Sequence, residues 1–156
     1  RPPRFQRCSL NRLIERVLFL DGVTRNVCDE IGAMNIMFVI NDELLTPPLS
    51  QGSILPGITR DSVLYLAREW GMKVAERQIS IDEIAQAHRD GTLQEAFGTG
   101  TAAVISPVGE FVYKGEAMQI NGGTIGPIAQ KFYDTITAIQ YGEAEDTHGW
   151  IDHLDI

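Results

Sequence analysis

Five consecutive apolar residues, Ile36-Met37-Phe38-Val39-Ile40, constrain this chain more than any other feature. The run is β-branched and aromatic enough to be a strand, and it falls far short of the roughly 20 apolar residues that cross a bilayer. Asn41-Asp42 follows it as a hairpin turn, with Leu44-Leu45-Thr46 as the returning strand. Further strands are expected at Val17-Leu20, at Val104-Ile105-Ser106-Pro107-Val108 and at Phe111-Val112-Tyr113. The last two are expected to be joined by a Gly109-Glu110 turn, and Asn121-Gly122-Gly123 makes another turn.

Helical periodicity takes over in three places. Val63, Leu66, Ala67 and Trp70 share one face of a helix that Thr59 is expected to cap and Gly71 to stop. Ser80-Ile81-Asp82-Glu83 is a capping box, with Ile79 and Ile84 placed as a hydrophobic staple and Gly91 as the stop. The last helix carries Pro127 in its first turn, Ile128, Phe132, Ile136 and Ile139 on one face, and ends at Gly142. Strands alternating irregularly with three helices predict a mixed α/β domain, with a mixed or barrel-like sheet and outer helices, and not a doubly wound sheet.

A length of 156 residues with 44% apolar and 22% charged composition suits a single core and excludes wholesale disorder. The 13 cationic and 21 acidic residues leave a net charge of −8, which repels a polyanion. The cations cluster only at Arg1, Arg4, Arg7, Arg12 and Arg16, with no aromatic platform after them, so no nucleic-acid partner is expected, and no membrane partner. Cys8 and Cys28 are too few for a disulfide framework and lack metal spacing, as expected of a reduced cytoplasmic protein. No apolar stretch follows the basic beginning, so no signal peptide is expected. Residue 1 is Arg, as expected of a processed product, a trimmed chain or part of a longer protein.

Two segments carry more Gly, Pro and Thr than a core explains. Ser53-Ile54-Leu55-Pro56-Gly57-Ile58-Thr59-Arg60 is a tight turn running into a helix, either a well-capped helix start or an anion site made of free N–H groups and a hydroxyl. Phe97-Gly98-Thr99-Gly100-Thr101-Ala102-Ala103 is either an ordinary glycine turn or a nest of N–H groups for an anion. Asp29 and Glu30, at the edge of the apolar strand, are either surface acids or partners for a cationic heterocycle. His88, His148 and His153 have no metal-ligand spacing and are expected to be exposed, while Met34 and Met37 are expected to fill core. No dinucleotide or P-loop glycine motif and no serine-hydrolase elbow occurs.

Taken in order, Glu30-Ile31-Gly32-Ala33-Met34-Asn35-Ile36, Leu45-Thr46-Pro47-Pro48, Gly52-Ser53-Ile54-Leu55-Pro56-Gly57-Ile58-Thr59-Arg60-Asp61-Ser62, Glu95-Ala96-Phe97-Gly98-Thr99-Gly100-Thr101-Ala102 and Gln140-Tyr141-Gly142 resemble the C-terminal half of a branched-chain amino-acid aminotransferase. The resemblance runs from about Val17 to Trp150. It implies pyridoxal 5′-phosphate chemistry in the fold type IV, D-amino-acid-aminotransferase-like architecture, with residues 17–156 matching the larger C-terminal cofactor-binding domain. Residues 1–16 are unmatched, and the small N-terminal domain is absent from the match. By this resemblance Glu30 pairs with the pyridine nitrogen, and Leu55 packs against the cofactor ring. Gly57, Ile58 and Thr59 hold the phosphate, and Thr101 makes a second phosphate contact. Ala33, Thr101 and Ala102 meet the substrate, Ala102 through its backbone N–H. A redox CxxC found in some members is replaced here by Ala103-Val104-Ile105-Ser106.

The resemblance departs at one decisive place. The family's Schiff-base lysine lies further upstream of the acid than this chain extends, and Lys73, Lys114 and Lys131 match no family position; they are expected on a surface strand, a hairpin and a helix. No catalytic residue is therefore assigned. The chain is expected to be a fragment, inactive alone, of an enzyme that exchanges leucine, isoleucine and valine for their 2-oxo acids with 2-oxoglutarate and glutamate. The alternatives are a non-catalytic cofactor-binding remnant or partner subunit, and a D-amino-acid transaminase or aminodeoxychorismate lyase of the same fold. The resemblance also implies a homo-oligomer. Uncovered, the cofactor face is expected to leave Leu55 exposed.

Overall fold

The computed structural model describes residues 16–152. Cys8, His153 and all but one of the early arginines lie outside the described residues. The elements run β1 (Leu18–Leu20), β2 (Cys28–Ile31), β3 (Met34–Ile40), β4 (Glu43–Thr46), α1 (Ile58–Glu69), β5 (Lys73–Glu76), α2 (Ile81–Arg89), β6 (Leu93–Gly100), β7 (Val104–Pro107), β8 (Glu110–Tyr113), β9 (Glu116–Gln119) and α3 (Pro127–Gln140).

The apolar run became β3, the strand around which the main sheet is organised. One edge pairs with β6 from Asn35↔Thr99 to Ile40↔Leu93. The other edge meets β2 at Glu30↔Asn35 and then, beyond Asn41 and Asp42 in a left-handed turn, β4 at Phe38↔Leu45. The chain leaving β5 fills the gap between β2 and β4: Arg77 N–H donates to Thr46 O (3.1 Å) and Cys28 N–H to Ile79 O (2.8 Å). The sheet is therefore mixed and curled upon itself, with β4 and β5 parallel across the α1 crossover.

Both faces of β3 are covered, which is why residues 36–40 are continuously apolar and do not alternate with polar ones. Ile36, Phe38 and Ile40 pack with Ile81 and Ile84 of α2 and with Phe111 and Met118 of the β8–β9 hairpin. Met37 and Val39 pack with Val63 and Leu66 of α1 and with Phe132 and Ile136 of α3. Each fully buried side chain of this size contributes about 2 to 3 kcal/mol.

Three expectations need correction. Gly109-Glu110 does not join a hairpin: β7 turns back onto β6, and among the described residues β8 pairs only with β9. The Phe97–Gly100 stretch is strand and not loop, because its glycines lie where Met34 crosses β6; a Cβ at Gly98 or Gly100 would fall on the Met34 side chain. His148 is not exposed. Its ring packs 5.1 Å from Tyr65 and 4.5 Å from Trp150, as the chain after α3 folds back onto α1 with Asp146 accepting from His148 N and Ile151 N. His88 is half-buried, with Nε2 3.0 Å from Gln119 O. Short polar β2 and β5 carried no strand signal, and β5 forms because the crossover lays it along β4.

Candidate functional site

Three polar side chains stand in a row across three strands. Glu30 on β2 pairs with Asn35 on β3, and Asn35 with Thr99 on β6. Directly paired residues point to one face of a sheet, here the face covered by α1 and α3, where Met37 and Phe97 lie along the same strands. Asn35 and Thr99 are buried and Glu30 is half-buried. Thr99 Oγ1 is buried without a hydrogen-bond partner among the described residues. A buried hydroxyl left without a partner is costly unless a ligand or water completes it.

Over this row sits the turn into α1. Leu55 N–H donates to Glu30 Oε1 (3.1 Å), and Asn35 Nδ2–H donates to Leu55 O (2.9 Å). The helix begins at Ile58 with Gly57 as its N-cap; Thr59, expected to cap it, lies inside the first turn instead. Gly57 has an ordinary φ of −72°, so its glycine is not demanded by the backbone angle. The reason is contact, since a Cβ there would fall on Asn35 Oδ1. No described side chain is hydrogen-bonded to the first-turn amides of α1, which leaves them with the positive end of the helix dipole for an anion.

The same first turn is anchored from behind. Arg60, 3% exposed, donates to Pro47 O (3.0 Å) and to Glu76 Oε2 (2.8 Å), and Glu76 also takes Arg68 at 2.8 Å. Burial works to raise the Glu76 carboxyl, but the hydrogen bonds and charges of Arg60 and Arg68 hold it below the ordinary value. Arg60 was visible in the sequence only as the end of a motif; its structural partner lies on β5.

The remaining site residues fall at two neighbouring turns. Ala33 sits between β2 and β3, and Thr101 and Ala102 between β6 and β7. The Asn35↔Thr99 pairing brings these ends of β3 and β6 side by side. All three are exposed, as are Leu55 at 73% and Ile58 at 87%. The lysines are elsewhere: Lys73 on β5, Lys114 in the β8–β9 turn, and Lys131 on α3 with Nζ 3.8 Å from the Trp70 ring centre. Among the described residues no cluster of three His, Cys, Asp or Glu side chains could hold a metal ion. Cys28 is buried and its thiol is pushed up to about 12 by burial and by Asp29 and Glu83, so it is inert as a nucleophile. No helix among the described residues is long and apolar enough to cross a membrane.

These donors suit a phosphorylated cationic heterocycle: helix amides and a spare hydroxyl for an anion, and a carboxylate whose Oε2 accepts from no described group for a ring N–H. The family model for amino-transferase class IV matches residues 7–111. The chain is 54% identical over 145 residues to branched-chain-amino-acid aminotransferase 2 of Bacillus subtilis, covering 93% of this chain and 40% of that protein. It is 52% identical over 136 residues to a probable branched-chain-amino-acid aminotransferase of Staphylococcus epidermidis, covering 87% of this chain and 38% of that one. The Escherichia coli branched-chain amino acid aminotransferase structure superposes with a TM-score of 0.69 at 33% identity, covering 88% of this chain and 41% of that chain. The PLP form of a branched-chain amino acid aminotransferase from Thermobaculum terrenum gives 0.65 at 32%, covering 83% and 38%. The chain thus spans about two fifths of the length of the curated relatives it matches.

Proposed function

Because this chain belongs to the amino-transferase class IV family, we propose that residues 17–156 are the cofactor-binding domain of a branched-chain-amino-acid transaminase. The complete enzyme exchanges leucine, isoleucine and valine for their 2-oxo acids, with 2-oxoglutarate and glutamate as the other pair. The observation that carries this reading is the polar row Glu30, Asn35 and Thr99 beneath an α1 start that no described side chain caps.

Pyridoxal 5′-phosphate, when bound, supplies an electron sink for the substrate Cα. Glu30 holds a proton on the ring nitrogen, and its Oε1 bond to Leu55 N–H keeps the carboxylate turned toward the site. Gly57, Ile58 and Thr59 receive the phosphate at the start of α1, with Thr101 as a second contact, and Leu55 packs against the ring. Ala33 and Ala102 leave room for a branched apolar side chain, and Ala102 N–H takes the substrate carboxylate. A lysine that moves the proton between substrate and cofactor comes from outside these 156 residues. Exposed Leu55 and Ile58 support a cover over this face, from further chain or from a second subunit of a homo-oligomer. Cys28, a buried thiol that is free among the described residues, supports a reduced, cytoplasmic setting. The relatives named above favour the branched-chain reading over D-amino-acid transaminase or aminodeoxychorismate lyase.

The test is to add pyridoxal phosphate to the chain, reduce with borohydride and map any adduct by peptide mass. Expected is low labelling spread over Lys73, Lys114 and Lys131. A single stoichiometric adduct at one of them would show that the chain carries its own working lysine, and the requirement for an outside lysine would fall.

A further inference from the structure

We propose that Asn35 is a positioning residue that sets the Leu55–Gly57 turn over Glu30, so that one side chain fixes the acid end and the phosphate end of the site relative to each other. The proposal rests on the functional reading above and adds to it a residue that contacts neither ring nitrogen nor phosphate.

Asn35 lies in the middle of the row, 5% exposed, with Glu30 paired on one side and Thr99 on the other. Its two amide atoms serve the same turn in different ways. Nδ2 donates to Leu55 O at 2.9 Å, while Oδ1 occupies the place a Cβ at residue 57 would take. Leu55 is held at its other polar group by Glu30 Oε1, at 3.1 Å from its N–H. Adjacent members of the row thus grip both backbone polar groups of one residue, and the turn is seated on Asn35 two residues later. Leu55 precedes the first residue of α1 by three positions, so its height over the sheet also sets where the first-turn amides stand.

An amide suits this task where a carboxylate would not. Asn35 donates and does not titrate, so its own bond to Leu55 O involves no titrating group. An aspartate in the same place would lose the donor to Leu55 O and set a second negative charge beside Glu30. Alanine would leave Leu55 O without its partner. Gly57→Ala would act from the opposite side, displacing the Asn35 amide while leaving residue 35 unchanged.

The experiment compares the unaltered chain with Asn35→Ala, Asn35→Asp and Gly57→Ala. Residue-resolved amide exchange is measured without ligand, and binding is measured by titration with pyridoxamine 5′-phosphate, which requires no lysine. In all three variants the Leu55 amide is expected to exchange about tenfold faster, while the Phe38 and Ala96 amides within the β3–β6 pairing keep their rates. Affinity for pyridoxamine phosphate is expected to fall about tenfold. Unchanged Leu55 exchange in Asn35→Ala and Gly57→Ala would overturn the proposal. So would an equal rise throughout β3 and β6, which marks a general structural role. If Leu55 exchange accelerates alone but the unaltered chain binds no pyridoxamine phosphate, the clamp stands and the functional reading is what fails.

Discussion

The three α-helices among the described residues begin in three different ways. α2 is closed locally: Ser80 Oγ accepts from Glu83 N–H at 3.0 Å, and Ile79 and Ile84 are both fully buried as the staple. α3 is closed from a distance. Glu95 on β6, 4% exposed, accepts from Ile128 N–H (2.9 Å) and Ala129 N–H (2.8 Å), and Gly126 leaves space for its carboxylate. α1 is closed by no described side chain, although Glu30 and Asn35 stand beneath it and spend their hydrogen bonds on Leu55 instead. A helix start needs acceptors for its first amides. Where the protein supplies them the start is closed by the fold; at α1 no described side chain does so, which leaves the first amides to water or to an anion.

The sharpest way to break this contrast is Glu95→Ala. It strips α3 of a buried charged cap and leaves two amides unsatisfied, so urea denaturation is expected to show a loss of about 3 kcal/mol. A loss below about 1 kcal/mol would mean that water replaces the carboxylate and that α3 is no more closed than α1.

A second measurement sharpens the difference between α1 and α2. Inorganic phosphate at about a hundred times its dissociation constant is expected to stabilise the chain by about 2.7 kcal/mol. Thr59→Ala is expected to shrink that gain. Ser80→Ala, costing about 1 kcal/mol of its own, should leave it intact. Equal responses of the two variants would remove the distinction.

The smallest effect concerns the anchor behind α1. Glu76 is 36% exposed, so after solvent screening Glu76→Gln is expected to cost only about 1 kcal/mol at neutral pH. Its pKa is held below 4.5 when folded, so its contribution is complete above that value and is lost as pH falls through the folded pKa. Asp29 acts in the opposite sense. Burial, then Asp21 and Glu30, raise its pKa, so protonation on acidification favours the folded state. The difference in stability between the unaltered chain and Glu76→Gln should narrow as pH falls below about 4.5, because Asp29 is common to both. A constant difference would place the Arg60 anchor elsewhere.

Much of this is legible in the sequence. The apolar run predicted β3, Asn41-Asp42 its turn, and Ser80 with Glu83 the start of α2, because each rests on contacts within a few residues. The surface strand, hairpin and helix positions expected of the three lysines are where they lie. The exposure expected of Leu55 is also observed. Glu95 opens one of the motifs but gave no signal of its capping role, because an acid in a strand looks like a surface acid until a helix arrives on top of it. Asn35 and Thr99 were part of motifs, but their partners lie on other strands or in the turn into α1. The glycines of Phe97–Gly100 suggested a loop because the side chain that needs their space, Met34, is far away in sequence.

The sequence by itself determined most of the local elements and the class of fold, since hydrophobic period, caps and turn residues act over one or two turns of chain. Only the tertiary structure decided which helix start stays open and what stands beneath it. That choice depends on strand register, Glu30 against Asn35 against Thr99, and register is settled by burying both faces of β3 at once.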